Sequence, residues 1–158
     1  TKLDSNGEPL SADATEWECV QDNVTGLIWQ KIYLQVLNTS NMRGYDPRDN
    51  TADQCSAESG NQCDTEGYKD ATNAESLCGA NNWRLPSRNE LIGLVDYGNE
   101  REGIDADYFS GGWSHHWSNS PSLTNPEYSW AVNLSSGAVW SAPRVTSLIY
   151  VRLVRNKQ

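Results

Sequence analysis

The chain has 158 residues, the usual span of one domain, with 37% hydrophobic residues and a mean hydropathy of -0.70. Seven Trp and seven Tyr supply enough burial to exclude a disordered chain, and no apolar run approaches the roughly 20 residues that a bilayer span needs. A net charge of -9 with only a small local basic excess argues against a nucleic-acid partner, since phosphate neutralisation needs a basic face.

In chain order, residues 1 to 16 are polar, with Asn6-Gly7 and Pro9 as turn formers, and read as an irregular lead-in. Asp22 to Gly26 reads as a turn and Leu27-Ile28-Trp29 as a short buried strand. Residues 38 to 63 have no hydrophobic period and are rich in Asn, Asp, Ser and Gly. They form a long loop for which a disulfide is the natural pin. Asp64-Thr65 caps a helix whose apolar face is Tyr68, Ala71, Thr72, Ala74 and Leu77, with Gly79 as its stop. After Trp83-Arg84-Leu85-Pro86, the Ser87 and Glu90 pair is a capping box that opens a second helix over Asn89 to Tyr97. The period then changes to two, with strands expected at His115 to Asn119, Tyr128 to Leu134, Ala138 to Ser141 and Leu148 to Arg155. Helices first and antiparallel strands afterwards indicate an α+β domain covering residues 1 to 158.

Charge divides along the chain. Residues 1 to 107 hold 20 acids and 8 bases, a balance of -12, whereas residues 108 to 158 hold 1 acid and 4 bases, a balance of +3. The C-terminal third is therefore the least repulsive surface toward an anionic partner.

Cys19, Cys55, Cys63 and Cys78 contain no CxxC pair, and both histidines lie far away at 115 and 116, so structural zinc is not expected. An even cysteine count in a loop-rich chain favours two disulfides formed in an oxidising compartment, either secreted or at the cell surface. Three pairings are open. A staple between Cys55 and Cys63 closes the polar loop Ser56 to Gln62, and it leaves Cys19 to tie the first strand region to Cys78 at the end of the first helix.

A set of blocks carries a family resemblance. Asp22 to Trp29, Leu77-Cys78-Gly79, Trp83 to Ser87 with Glu90-Leu91, Trp117-Ser118, Trp130 to Asn133, Gly137 and Tyr150 to Arg155 occur in the order of the bacterial domain found at the C-terminus of the Legionella collagen-like adhesin, and the chain resembles that family over about residues 20 to 155. The resemblance implies a C-type lectin-like fold: two helices packed on a twisted antiparallel sheet, with long irregular loops. It also implies an adhesin or pilus module, trimeric where members sit on collagen-like stalks, with sulfated polysaccharide as one candidate ligand; the net negative charge does not favour a sulfated ligand. Trp29, Trp83, Leu85, Trp117, Trp130, Val132, Val151 and Leu153 are the expected core. Arg84, Arg152 and Arg155 are expected to pair with carboxylates such as Glu90 or Asp96.

Catalytic chemistry is not expected. The chain has no Gly-Xaa-Ser-Xaa-Gly elbow, P-loop, dinucleotide fingerprint or HExxH helix, and no cysteine after Cys78 for chemistry of the formylglycine-generating type. His115 and His116 are strand neighbours whose side chains face opposite ways, so they do not chelate one ion together. No cofactor is expected. Asp46, Asp49 and Asp53, and Asp105 and Asp107, offer oxygens of the kind calcium takes but lack EF-hand spacing. Many C-type lectins hold sugar through calcium with a Glu-Pro-Asn or Gln-Pro-Asp loop and a Trp-Asn-Asp strand; this chain has Asn125-Pro126-Glu127 and Trp117-Ser118-Asn119 instead, a departure that argues against calcium-dependent monosaccharide binding.

What remains is a surface. Residues 140 to 149 mix aromatic, aliphatic and basic side chains in the connection between the last two expected strands. Trp140 and Arg144 are the expected principal contacts for an extracellular glycan or surface protein, with His115, Trp113 and Thr146 at the edge. A second reading takes the chain as a variable protein of a diversity-generating retroelement, with residues 138 to 149 as its variable surface.

Overall fold

The turn Asp22 to Gly26 shows how local chemistry starts the architecture. The Asp22 carboxylate accepts the Val24 N–H at 2.8 Å, and the Asp22 carbonyl accepts the Gly26 N–H at 2.9 Å. Gly26 takes a φ of 75°, and the chain reverses into two paired strands. The computed structural model describes residues 1–31, 65–98, 103–109, 114–143 and 149–157. Its strands are β1 (Lys2–Leu3), β2 (Cys19–Gln21), β3 (Leu27–Gln30), β4 (His115–Pro121), β5 (Tyr128–Asn133), β6 (Val139–Pro143) and β7 (Val154–Asn156), with helices α1 (Thr65–Ala74) and α2 (Arg88–Gly93). The class is α+β, and the strands form two antiparallel sheets, β1-β2-β3-β7 and β4-β5-β6, where the sequence suggested one. No helix among the described residues is long and apolar enough to cross a membrane.

Two sheets arise because the last segment leaves one and joins the other. Tyr150 makes a parallel bridge with His116, while Val154 to Asn156 pair antiparallel with Leu27 to Trp29. The expected strand over Leu148 to Arg155 is thus reduced to β7 plus this bridge. The lead-in is also more ordered than its composition suggests, since Lys2 and Leu3 pair with Val20 and Cys19. Leu3, at 1% exposure, supplies the core contact that makes this short strand worthwhile.

The capping box forms as expected. Ser87 Oγ accepts the Glu90 N–H and the Glu90 carboxylate accepts the Ser87 N–H. α2 ends sooner than its apolar period suggests. The Asp96 N–H turns to the Gly103 carbonyl at 2.6 Å, so the chain leaves the helix before Tyr97, which is itself exposed. α1 also stops short of Leu77, and Ser76 and Cys78 take left-handed backbone conformations at the corner.

That corner is where the lead-in, the disulfide and the C-terminal strand meet. Cys19 and Cys78 are bonded, as the sequence reading paired them, while Cys55 and Cys63 lie outside the described residues. A Cβ on Gly7 would stand 2.6 Å from the Cys78 carbonyl oxygen, and one on Gly79 would stand 2.4 Å from that of Asn6. Both glycines have positive φ, so the two turns interlock only without side chains. Arg155 donates to the Cys78 carbonyl at 3.3 Å and lies over the Trp83 ring, and the Trp83 indole donates to the Leu77 carbonyl at 3.0 Å.

The core has two parts. Trp83, Leu85, Trp117, Ala131, Val151 and Leu153 centre one, and Trp29, Leu91, Ile104, Val132, Leu134 and Val154 centre the other. Seven of the eight expected core residues are buried. Trp130 is the exception: it is only half-buried, because its end of β5 borders an open cleft beside α2.

Polar groups are buried between these parts. Arg152 is fully buried, donates to the Gln30 carbonyl at 3.2 Å and lies over the Phe109 ring, and the Gln30 amide bonds the Tyr68 hydroxyl. Burial draws the Arg152 pKa down to about 9, so it stays protonated at neutral pH. His116 is buried nearby with Nδ1 at 3.0 Å from the Ser114 carbonyl. Burial first, and then the Arg152 charge, hold its pKa at about 3.

Two predictions come from this interior. The Cys19–Cys78 bond spans a sequence separation of 59, and replacing both cysteines by Ser should lower unfolding free energy by about 4 kcal/mol on the chain-entropy model, read as a shift in the urea midpoint; a loss under about 1 kcal/mol would contradict this. The unfolded chain protonates His116 near pH 6.5 but the folded chain only near pH 3, so the contribution of this group is complete above the first value and lost as pH falls toward the second. Imidazole NMR signals should show one histidine that does not titrate between pH 5 and pH 8, and His116→Phe should flatten the acid slope of stability.

Candidate functional site

Antiparallel pairing decides which side chains of the three-stranded sheet share a face. His115 stands opposite Asn133, Trp117 opposite Ala131, and Ala131 opposite Trp140. These residues therefore project to one side, while His116, Val132 and Trp130 project to the other. Trp117, Ala131 and Ala142 bury the centre of the first side. Trp140, 46% exposed, extends past them at the edge strand, and its indole meets the half-exposed His115 ring edge-on with centroids 5.5 Å apart. Val139, next to it on β6, is also exposed.

The structure thus brings together two of the five expected contact residues, His115 and Trp140. Trp113, Arg144 and Thr146 lie outside the described residues. The expectation that a final hairpin carries the surface needs correction. β6 pairs with β5 and not with β7, which belongs to the other sheet, and Ala142 within the supposed free connection is fully buried. The exposed corner therefore belongs to a β5-β6 hairpin closed by Asn133 to Gly137. The Asn133 side chain accepts the Ser135 N–H there at 2.9 Å, and Gly137 has a φ of 72°.

On the opposite side, a cleft of about 410 Å³ opens between α2 and the ends of β4 and β5, lined by Arg88, Asn89, Asn119, Ser120, Leu123 and Trp130 among others. The Arg88 guanidinium lies over the Trp130 ring at 5.5 Å, and its backbone N–H donates to Ser120 Oγ at 3.1 Å. This cleft was missed in the sequence. Trp130 looked like a core residue, and only the half-exposure of a Trp beside an Arg reveals it.

The neighbouring Arg84 and Glu90 make a bidentate pair, with N to O distances of 2.9 and 2.7 Å. That pair, reinforced by the Ser87 N–H, holds the Glu90 carboxyl at about 2. Glu90 is accordingly a spent charge and does not set the potential of the cleft. The expected pairing of Arg84 with a carboxylate holds. Arg155 instead donates to carbonyls, and Arg152 is held by Gln30 and Phe109 as described. Asp96, the other carboxylate considered, accepts the Gly98 N–H.

Among the described residues no three His, Cys, Asp or Glu side chains converge as metal ligands. Asp46, Asp49 and Asp53 lie outside them, and Asp105 uses its carboxylate to accept the Asp107 N–H at 3.0 Å.

Comparison with known proteins places this geometry. No curated protein and no solved structure matches the chain. A family model described as the Lcl C-terminal domain matches residues 18–155, which takes in β2 to β6, the first two residues of β7, both helices and the disulfide. The chain therefore belongs to the Lcl C-terminal domain family.

Proposed function

We propose that this domain is a non-catalytic recognition module of a secreted or cell-surface bacterial adhesin, with a C-type lectin-like fold, and that it binds a glycan through the corner formed by His115 and Trp140. The observation that carries the reading is the exposed indole of Trp140 braced edge-on by His115 at the rim of a buried sheet. An aromatic held rigid on a strand loses little entropy when it stacks on a sugar ring, and a wet imidazole beside it supplies a hydrogen bond to a hydroxyl. The adhesin-like family and the Cys19–Cys78 disulfide are compatible with an extracellular setting.

The core does not depend on either side chain. Trp117 and Ala131 belong to a buried cluster with Val151 and Ile149 that includes neither His115 nor Trp140. Screening on an immobilised panel of bacterial and animal glycans, followed by titration of the best binder, should show that Trp140→Ala with His115→Ala weakens affinity about thirtyfold, equivalent to about 2 kcal/mol, with an unchanged melting temperature. Parental affinity in the folded double variant would remove this corner as the site.

A further inference from the structure

We propose that the cleft between α2 and the β4-β5 sheet is a second ligand site, distinct from the Trp140 corner, which takes a sugar residue bearing a carboxylate. Consecutive residues of a strand face opposite ways, and Trp130 pairs with Ser141 where Ala131 pairs with Trp140, so the two tryptophans lie on opposite faces of one sheet. A ligand at one does not touch the other.

Three observations define the occupant. First, Arg88 has its guanidinium positioned over Trp130, yet none of its side-chain N–H donors is used within the described residues. Its backbone N–H is engaged by Ser120 Oγ and the helix it begins is capped by Ser87 and Glu90, so the side chain is not needed for the fold. A fixed planar fork of donors is the group that recognises a carboxylate in two parallel hydrogen bonds. Second, among the described residues no carboxylate lines the cleft, and the nearby Glu90 is paired with Arg84. Third, the remaining walls suit a ring of hydroxyls. The exposed Asn89 and Asn119 amides each offer donors and an acceptor, while Trp130 and Leu123, which is 96% exposed, offer apolar surface to ring C–H groups. At about 410 Å³ the cleft falls within the roughly 300 to 1,000 Å³ of small-ligand sites.

A hydrophobic peptide would leave the guanidinium and both amides without partners, and a neutral sugar would leave the guanidinium unused. A uronic or sialic acid residue satisfies all three groups.

The test uses the whole domain and the methyl glycosides of glucuronic, galacturonic and N-acetylneuraminic acid, each beside its methyl ester, titrated by NMR with the Trp130 indole signal as reporter. At least one acid should bind saturably, its ester should bind at least tenfold more weakly, and Arg88→Gln should weaken the acid by a similar factor while leaving the ester unchanged. Arg88→Lys should recover only part of the loss, because a point charge replaces the fork. Trp140→Ala with His115→Ala should have no effect here, which separates failure of this site from failure of the corner. Equal binding of acid and ester, no saturable binding by any of the three acids, or full affinity in a folded Arg88→Gln variant would each overturn the proposal.

Discussion

The segment from Ile149 to Asn156 has to satisfy the hydrogen bonds of two sheets at once, and the rest of the structure is arranged around that demand. Its start is held by β4: Trp117 N–H donates to the Tyr150 carbonyl at 2.9 Å and Tyr150 N–H to that of His115 at 3.0 Å. Its end is held by β3 and by Arg84, whose N–H and carbonyl exchange 2.9 Å bonds with Val154. The three residues between, Val151, Arg152 and Leu153, are buried on both sides. A buried backbone without such partners would cost several kcal/mol, so the segment fixes how the sheets meet. Burying the Arg152 charge is the cost of this placement, offset in part by the Gln30 carbonyl and the Phe109 ring.

The exposed surfaces follow from that closure. With β4 pinned on one side by Tyr150 and on the other by β5, His115 cannot swing away from the sheet, and β6 is left as the outer strand carrying Trp140. Among the described residues β6 is an edge strand with two exposed apolar residues, a surface of the kind the proposed recognition role would use. The register of β4 shifts between Trp117 and Pro121, and residues of that stretch, Asn119 and Ser120, line the Trp130 cleft. One sheet thus presents two tryptophans to solvent on opposite faces, each beside a different polar partner.

What could be read in the sequence was local chemistry. The Asp22 to Gly26 turn, the Ser87 and Glu90 capping box, the Arg84 and Glu90 pair and the opposed histidines each depend on residues within a few positions of one another, or on strand periodicity, and all four are present. The pairing of Cys19 with Cys78 was legible as the pair left over once Cys55 and Cys63 are taken as a local staple, whereas the partition into two sheets was not. A run such as Tyr150 to Arg155 has the same apolar pattern whether it completes one sheet or bridges two, and only long-range pairing decides. The same limit hid β1, whose two residues gain a strand only through Val20 and Cys19. It hid the Trp130 cleft as well, since a tryptophan in a strand has no local mark of exposure. Of the expected contact surface, Trp140 and His115 were placed together by strand register, a quantity that the sequence fixes only once β5 is known to lie between them.

The claim that the C-terminal segment welds both sheets into one unit is tested most directly by native-state hydrogen exchange. Protection should be measured at the amides of Trp117, Tyr150, Arg84, Val154 and Gln30, all of which bond to or from this segment. Under conditions where exchange follows global opening, all five should share one opening free energy and one denaturant dependence. If Trp117 and Tyr150 exchanged through a separate, lower-energy opening while Arg84, Val154 and Gln30 stayed protected, the three-stranded sheet would be an independent unit and the account would be wrong.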